Sequence, residues 1–230
     1  MTTLRILSTL AVMGAMPKIA EAYHAATLET SFSPTVALVE QLRAKGEAGV
    51  EADIAILTAG GIDEMIAEGH IRPGTRTDVA LSFIGIAVKA GAPKPDISSV
   101  EAFRAALLAA KSIAYSRIGA SGLYFASLIE RLGIADAVNA KATIIATGFT
   151  AEQAANGTVE LAVQQVSELM VVPGIEFVGP LPPEVQSVGT FSAGLLTTSR
   201  QPEAAEALLR YLASPAVAPM LRAAGLEPAG

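Results

Sequence analysis

Short hydroxyl, amide and guanidinium side chains recur where apolar runs end, and such groups can hold a small anion. Thr9, Leu10 and Ala11 follow the run "LRILS" and precede a helical pattern. In an α/β sheet the carboxyl ends of strands face the binding crevice, so their N–H groups suit a ligand, although Thr9 equally suits a helix cap. Ser33 and Thr35 flank Pro34 at the next helix start, where capping and ligand contact are compatible. Thr58 follows "ADIAIL" and is placed to line a cleft from the same side. Arg117 follows "SIAYS" in the loop "SRIGASG". Its planar fork matches a carboxylate through two parallel hydrogen bonds, and a solvated loop arginine is the other reading. Ser121 and Gly122 open a further helix, with Ser121 alternatively a plain N-cap. Gln164 and Gln165 end a strand in "AVQQVSE", and two adjacent amides there favour a polar ligand or a hinge hydrogen bond over a core. Glu168, three residues on, reads as a solvated helix start.

Other chemistries are poorly served. His24 and His70 are the only histidines and have no partner at ligand spacing, so no metal site is expected. "GASGL" is no nucleophile elbow, no Ser-His-Asp set is discernible, and no dinucleotide fingerprint is present, so no cofactor is expected. The chain has no cysteine, which excludes disulfides and thiolate chemistry. Its net charge of −6 and lack of a Lys/Arg cluster argue against nucleic acid. With 51% apolar and 17% charged residues it can build an ordinary core. No run approaches a membrane span, so no membrane insertion is expected.

The elements that must position these residues alternate strand and helix. Strands are read at 4–9, 26–33, 52–57, 78–91, 112–116, 141–147 and 159–165, with further β-like runs at 175–182 and 190–199. Helices are read at 35–46, 61–70, 98–111, 121–133 and 150–157, the third opened by a capping box of Ser98 and Glu101. Two Pro-initiated helices close the chain. This is an α/β pattern of parallel sheets with helices on both faces. Its two long strands suggest a chain that crosses into a second lobe and returns. Lobe I is then 1–82 plus 200–230 and lobe II is 83–199, with crossover strands near 82–90 and 190–199. A hinge and an interlobe cleft follow from that layout.

The opening stretch "LRILSTLAVMGAMPKIAEAY" has two readings. As a secretory signal it offers Arg5, a short apolar run and "AEA". Against this, Lys18 and Glu21 lie just before the cut, and Ser8 and Thr9 interrupt the run. As structure it gives a strand, a loop and a helix with Met16, Ile19, Ala20, Tyr23 and Ala26 at helical spacing. The second reading predicts a cytoplasmic protein; cleavage of residues 1–22 would make it periplasmic.

Taken together, "LSTLAVMGAMPKIAEAY", "EADIAILTAGGIDEMIAEG", "GASGLYFASLIERLG", "VELAVQQVSE" and "EAAEALLRYLASPAVAPMLRAAGLEP" resemble the molybdate-binding branch of the periplasmic substrate-binding proteins. The resemblance implies a two-lobed type II periplasmic-binding fold that holds a tetrahedral oxyanion with neutral hydroxyl and N–H donors. It implies an ABC importer as partner only if the protein is exported, and leaves the oligomeric state open. Carried over by position, a first-loop serine of the family falls at Ala11, with Thr9 nearby. A second-loop serine pair falls at 33–36, where Ser33 and Thr35 stand. A ligand-contacting tyrosine falls at Gln165. The departures at Ala11 and Gln165 point away from molybdate itself. Families resembling this branch include aconitate isomerase, which moves a proton on a small tricarboxylate. Binding of a small oxyanion or carboxylate is therefore the expected function, with such an isomerase as the alternative. For the isomerase, Arg117 is the clamp and Glu168 or Tyr124 the candidate base. A ligand sensor is a third reading, lowered by the lack of a helix-turn-helix.

Overall fold

A computed structural model of the chain describes residues 2–44 and 50–230. It divides into two compact units, one of residues 1–82 with 189–230 and the other of residues 83–188.

The first unit begins with β1 (Thr3–Ser8), α1 (Met16–Ala22), β2 (Thr27–Phe32), α2 (Thr35–Ala44), β3 (Ile54–Thr58) and α3 (Ala59–Ala67). Strand β1 lies between β2 and β3 and is parallel to both, in register from Thr3↔Thr27 to Ser8↔Phe32 and from Ile6↔Ile54 to Ser8↔Ile56. The opening stretch is thus a central strand and a packed helix. Its alternation explains this: Leu4 and Ile6 bury on one face against Met16 and Ile19 of α1, and Leu7 buries on the other with Leu38, Leu42, Ile62 and Met65. Buried Asp53 secures the strand starts. It accepts the Arg5 N–H at 2.9 Å and the Ser199 hydroxyl at 2.6 Å. The last two residues read into the helix 35–46 lie outside the described residues.

Strand β4 (Thr77–Lys89) runs from the first unit into the second. The second unit continues with α4 (Val100–Ala109), β5 (Ile113–Ser116), α5 (Ala120–Arg131), α6 (Ala135–Asn139), β6 (Ala142–Ile145), α7 (Thr150–Ala155), β7 (Leu161–Gln165), α8 (Val166–Met170) and β8 (Ile175–Pro180). Strand β5 is parallel to β6 and β7, and β4 is antiparallel to β7 and β8. One face packs large residues, Phe103 and Phe125 among them; the other packs small ones, Ala87, Ala114 and Ala162 under Ala151 and Ala154 of α7. The chain returns through β9 (Val188–Leu195), α9 (Pro202–Leu212), α10 (Ala218–Ala223) and β10 (Glu227–Pro228). The sequence reading gave residues 190–199 to the second lobe, but β9 pairs with β3 from Thr58↔Phe191 to Ile54↔Leu195, which sets them in the first unit.

In each unit three parallel strands meet an antiparallel one on one side only, β9 beside β3 in the first and β4 beside β7 in the second. The two short helices α6 and α8 escape a reading by periodicity because each has only five residues. The cap of α4 is Ser99, whose hydroxyl accepts the Ala102 N–H at 3.1 Å, while the neighbouring Ser98 N–H turns back to Asp96. No helix among the described residues is long and apolar enough to cross a membrane.

Candidate functional site

In the first unit the carboxyl ends of β1 and β3 bring three threonines together. Thr9 is 4% exposed and its N–H donates to Ile56 O at 2.9 Å, fixing the loop to β3. The Thr35 hydroxyl, at the first residue of α2, donates to Thr9 Oγ1 at 3.3 Å. Thr58 caps α3 by accepting the Gly61 N–H at 3.2 Å. A Cβ on Gly61 would stand 3.1 Å from Thr58 Oγ1 and 3.5 Å from Thr35 Cγ2, so a glycine allows this close grouping. Ser33 is half-buried beside them, its N–H donating to Ser8 O. Leu10 is half-buried and Ala11 is core, so Ala11 offers a ligand only its main chain. Thr9 shows no side-chain cap to the turn that follows it.

In the second unit the carboxyl ends of β5, β6 and β7 carry the other residues. Helix α5 is capped by Gly119 and begins at Ala120, so Ser121 lies inside its first turn rather than at the cap. Ser121 and Gly122 are both buried. The sequence reading missed Ser116, which is 7% exposed and whose hydroxyl has no hydrogen-bond partner among the described residues. A Cβ on Gly119 would stand 2.6 Å from Ser116 Oγ, and one on Gly122 would stand 2.4 Å from it and 2.0 Å from Ser116 O. The two glycines thus let the start of α5 close onto Ser116, and their spacing of three and six residues after it was the available signal. We expect Gly122→Ala to push α5 off β5 and to cost about 1–3 kcal/mol. Urea unfolding would measure this, and a loss within error would mean the backbone yields without cost.

Arg117 is exposed, and its main-chain N–H donates to Ile145 O at 2.8 Å, tying the β5 loop to β6. Its guanidinium makes no hydrogen bond or ion pair among the described residues. The other candidate base, Tyr124, is committed elsewhere. Its hydroxyl donates to Val185 O at 2.9 Å and accepts from Arg131 at 3.1 Å, and its ring lies 5.2 Å beneath that guanidinium.

Gln164 and Gln165 are 3% and 5% exposed. The Gln164 side-chain oxygen accepts both the N–H and the hydroxyl of Thr150, at 2.7 and 2.9 Å, and Gln165 pairs with Ile84 of β4 and stands at the N-cap position of α8 without a side-chain cap bond. Glu168 departs from its expected solvated setting. It stands in the first turn of α8, half-buried, and loss of water around the carboxyl raises its pKa to about 7, opposed by a hydrogen bond with Gln164. The preceding residue, Ser167, has a buried hydroxyl without a partner among the described residues. A carboxyl that ionises near neutrality, set at a strand end among hydroxyls and helix starts, can exchange a proton with a bound anion.

The bacterial extracellular solute-binding protein family matches residues 4–227 of the chain. Aconitate isomerase of Pseudomonas sp. is 38% identical over 232 residues, covering 99% of this chain and 88% of that protein. Among solved structures, the periplasmic molybdate-binding protein of Azotobacter vinelandii superposes with a TM-score of 0.79 at 16% identity, over 97% of this chain and 98% of that one. The substrate-binding domain of a molybdenum ABC transporter from Clostridium difficile gives 0.75 at 17% identity, over the whole of both chains. At these identities the two structures establish a shared type II periplasmic-binding fold and no more.

Proposed function

Because the chain belongs to the bacterial extracellular solute-binding protein family, we propose that it binds a small anionic ligand, an oxyanion or carboxylate. The carrying observation is Ser116. A hydroxyl buried without a partner costs about 1–3 kcal/mol, and this one stands beside the start of a twelve-residue helix whose glycines keep side chains away. An anion held by the helix N–H groups and this hydroxyl would satisfy both. The oxyanion neighbours support this reading through their shared fold.

A thermal-shift screen with molybdate, tungstate, sulfate, phosphate and small di- and tricarboxylates tests it. Ligand at 100 times its dissociation constant adds about 2.7 kcal/mol, a readable shift. No shift with any of them would overturn the proposal. We expect Arg117→Ala to weaken di- or tricarboxylate binding by roughly 10- to 100-fold, the range of a lost charge-assisted hydrogen bond. Calorimetry showing equal affinity would remove Arg117 from the site.

Glu168 favours a second reading, that the bound anion is a small polycarboxylate and is isomerised. Its ionised carboxyl would take a proton from a carbon next to a carboxylate. The electron pair would spread into the adjoining double bond, and the same proton would return at the far carbon. Nothing is oxidised or reduced. The isomerase relative supports this reading, and the setting of Glu168 supplies a base suited to neutral pH. Since the base must be ionised, turnover is expected to fall as the pH drops through about 7. NMR of aconitate incubated with the protein would decide it.

A further inference from the structure

We propose that the Gln186 side chain is a clasp that fastens the start of the second unit to its end, so that the two strands joining the units enter it as one fixed pair. The unit spans 83–188, which makes Ile84 its second residue and Gln186 the third from its close. Strand β8 pairs with β4 as far as Gly85↔Pro180, and the Leu181 N–H still donates to Ile84 O at 2.9 Å. An antiparallel pair would be completed by the Ile84 N–H donating to Leu181 O. Instead it donates to Gln186 Oε1 at 2.9 Å, and Gln186 Nε2 donates to Ile84 O at 2.9 Å and to Leu181 O at 3.4 Å. The amide is thus spliced into the pair at the point where the strands part. They part there because Pro182 and Pro183 have no N–H with which to extend a ladder.

Ile84 also fixes which way round the amide stands. A main-chain N–H can only donate and a main-chain carbonyl can only accept, so the first selects the amide oxygen and the second the amide nitrogen. The same oxygen accepts the Ser187 N–H at 3.0 Å. One atom therefore holds main-chain groups from both ends of the unit. Ile84 is 1% exposed and lies opposite Gln165 of β7, so an N–H left without an acceptor there would be costly. The segment carrying Gln186 is itself anchored, because Val185 O, one residue earlier, accepts the Tyr124 hydroxyl of α5 at 2.9 Å. The clasp, the entry of β4 and the helix whose start closes onto Ser116 thus form one body.

The clasp is independent of which anion the protein takes. The test is amide hydrogen exchange by NMR on the full-length chain, read as protection relative to the unfolded chain. In wild type the Ile84 and Ser187 amides should be protected to within about threefold of each other, since one oxygen releases both. Gln186→Met keeps the length of the side chain and removes its hydrogen bonds. Ile84 and Ser187 should then lose about tenfold in protection, the worth of a neutral hydrogen bond. Leu181 decides whether the amide is a clasp or only a partner. Its N–H keeps Ile84 O as acceptor in the variant, so a loss of about tenfold there reports the strands parting. Amides of β5 should not change. Unchanged protection at Leu181 in folded Gln186→Met overturns the proposal, and so does an equal loss across β5, which would report a general loosening. If circular dichroism shows that variant unfolded, wild type decides, and protection at Ile84 and Ser187 differing by more than about threefold overturns the clasp.

Discussion

A chain lacking residues 1–22 is expected to lose the first unit as a folded body. Strand β1 is hydrogen-bonded on both sides, so its removal strips β2 and β3 of their shared partner. The missing segment also carries Leu4, Ile6, Leu7, Val12, Met16 and Ile19, all buried to 7% exposure or less. Large apolar side chains contribute about 1.5–3 kcal/mol each, and six of them match or exceed the ~5–15 kcal/mol by which a domain is stable. Hydrogen exchange on the purified truncation checks this, with amides of β3 and β9 expected to be unprotected. A truncated chain with those amides protected would show that the opening stretch is dispensable to the fold.

The second large effect concerns pH. Glu168 ionises at an ordinary 4.5 when solvated and at about 7 in the folded protein. A raised carboxyl means that folding favours the proton. The contribution of Glu168 to stability is therefore fully present below about 4.5, is lost as the pH rises through about 7, and stays lost above it. The gap corresponds to an order of 3 kcal/mol. Glu168→Gln removes the ionisation, so the variant should be more stable than wild type by that order at pH 8 and nearly equal to it near pH 4.5. Urea unfolding at both values measures this. A difference independent of pH would show that burial of the charge is not its source. The same variant should lose isomerisation by about 10²- to 10⁴-fold under the proton-transfer reading, since a positioned base contributes that much.

The alternation of strand and helix was legible because runs such as "IAIL" (54–57) are apolar throughout and because prolines and glycines punctuate the helices. The positions of Thr9, Thr35 and Thr58 could also be read from order alone, since Thr9 and Thr35 follow strands and Thr58 ends one. Other features depend on distances that a string of residues does not carry. Gln164 reads as a free amide until Thr150, fourteen residues away, is seen against it. Glu168 reads as a solvated helix residue until α8 is packed on β7 and β8. Ser116 looks like the polar end of a strand. Its isolation follows only once Gly119 and Gly122 bring α5 down onto it.

The division of the chain also bears on the order in which it acquires structure. The second unit is one uninterrupted stretch, 83–188, whereas the first is assembled from 1–82 and 189–230. On a ribosome, the middle stretch can emerge whole and close its short-range contacts while the first eighty residues still lack β9, the antiparallel neighbour of β3. The unit built around β1 must then wait for β9 to be synthesised. In pulse-labelled refolding, amides of β5 and β7 should gain protection before those of β1 and β3.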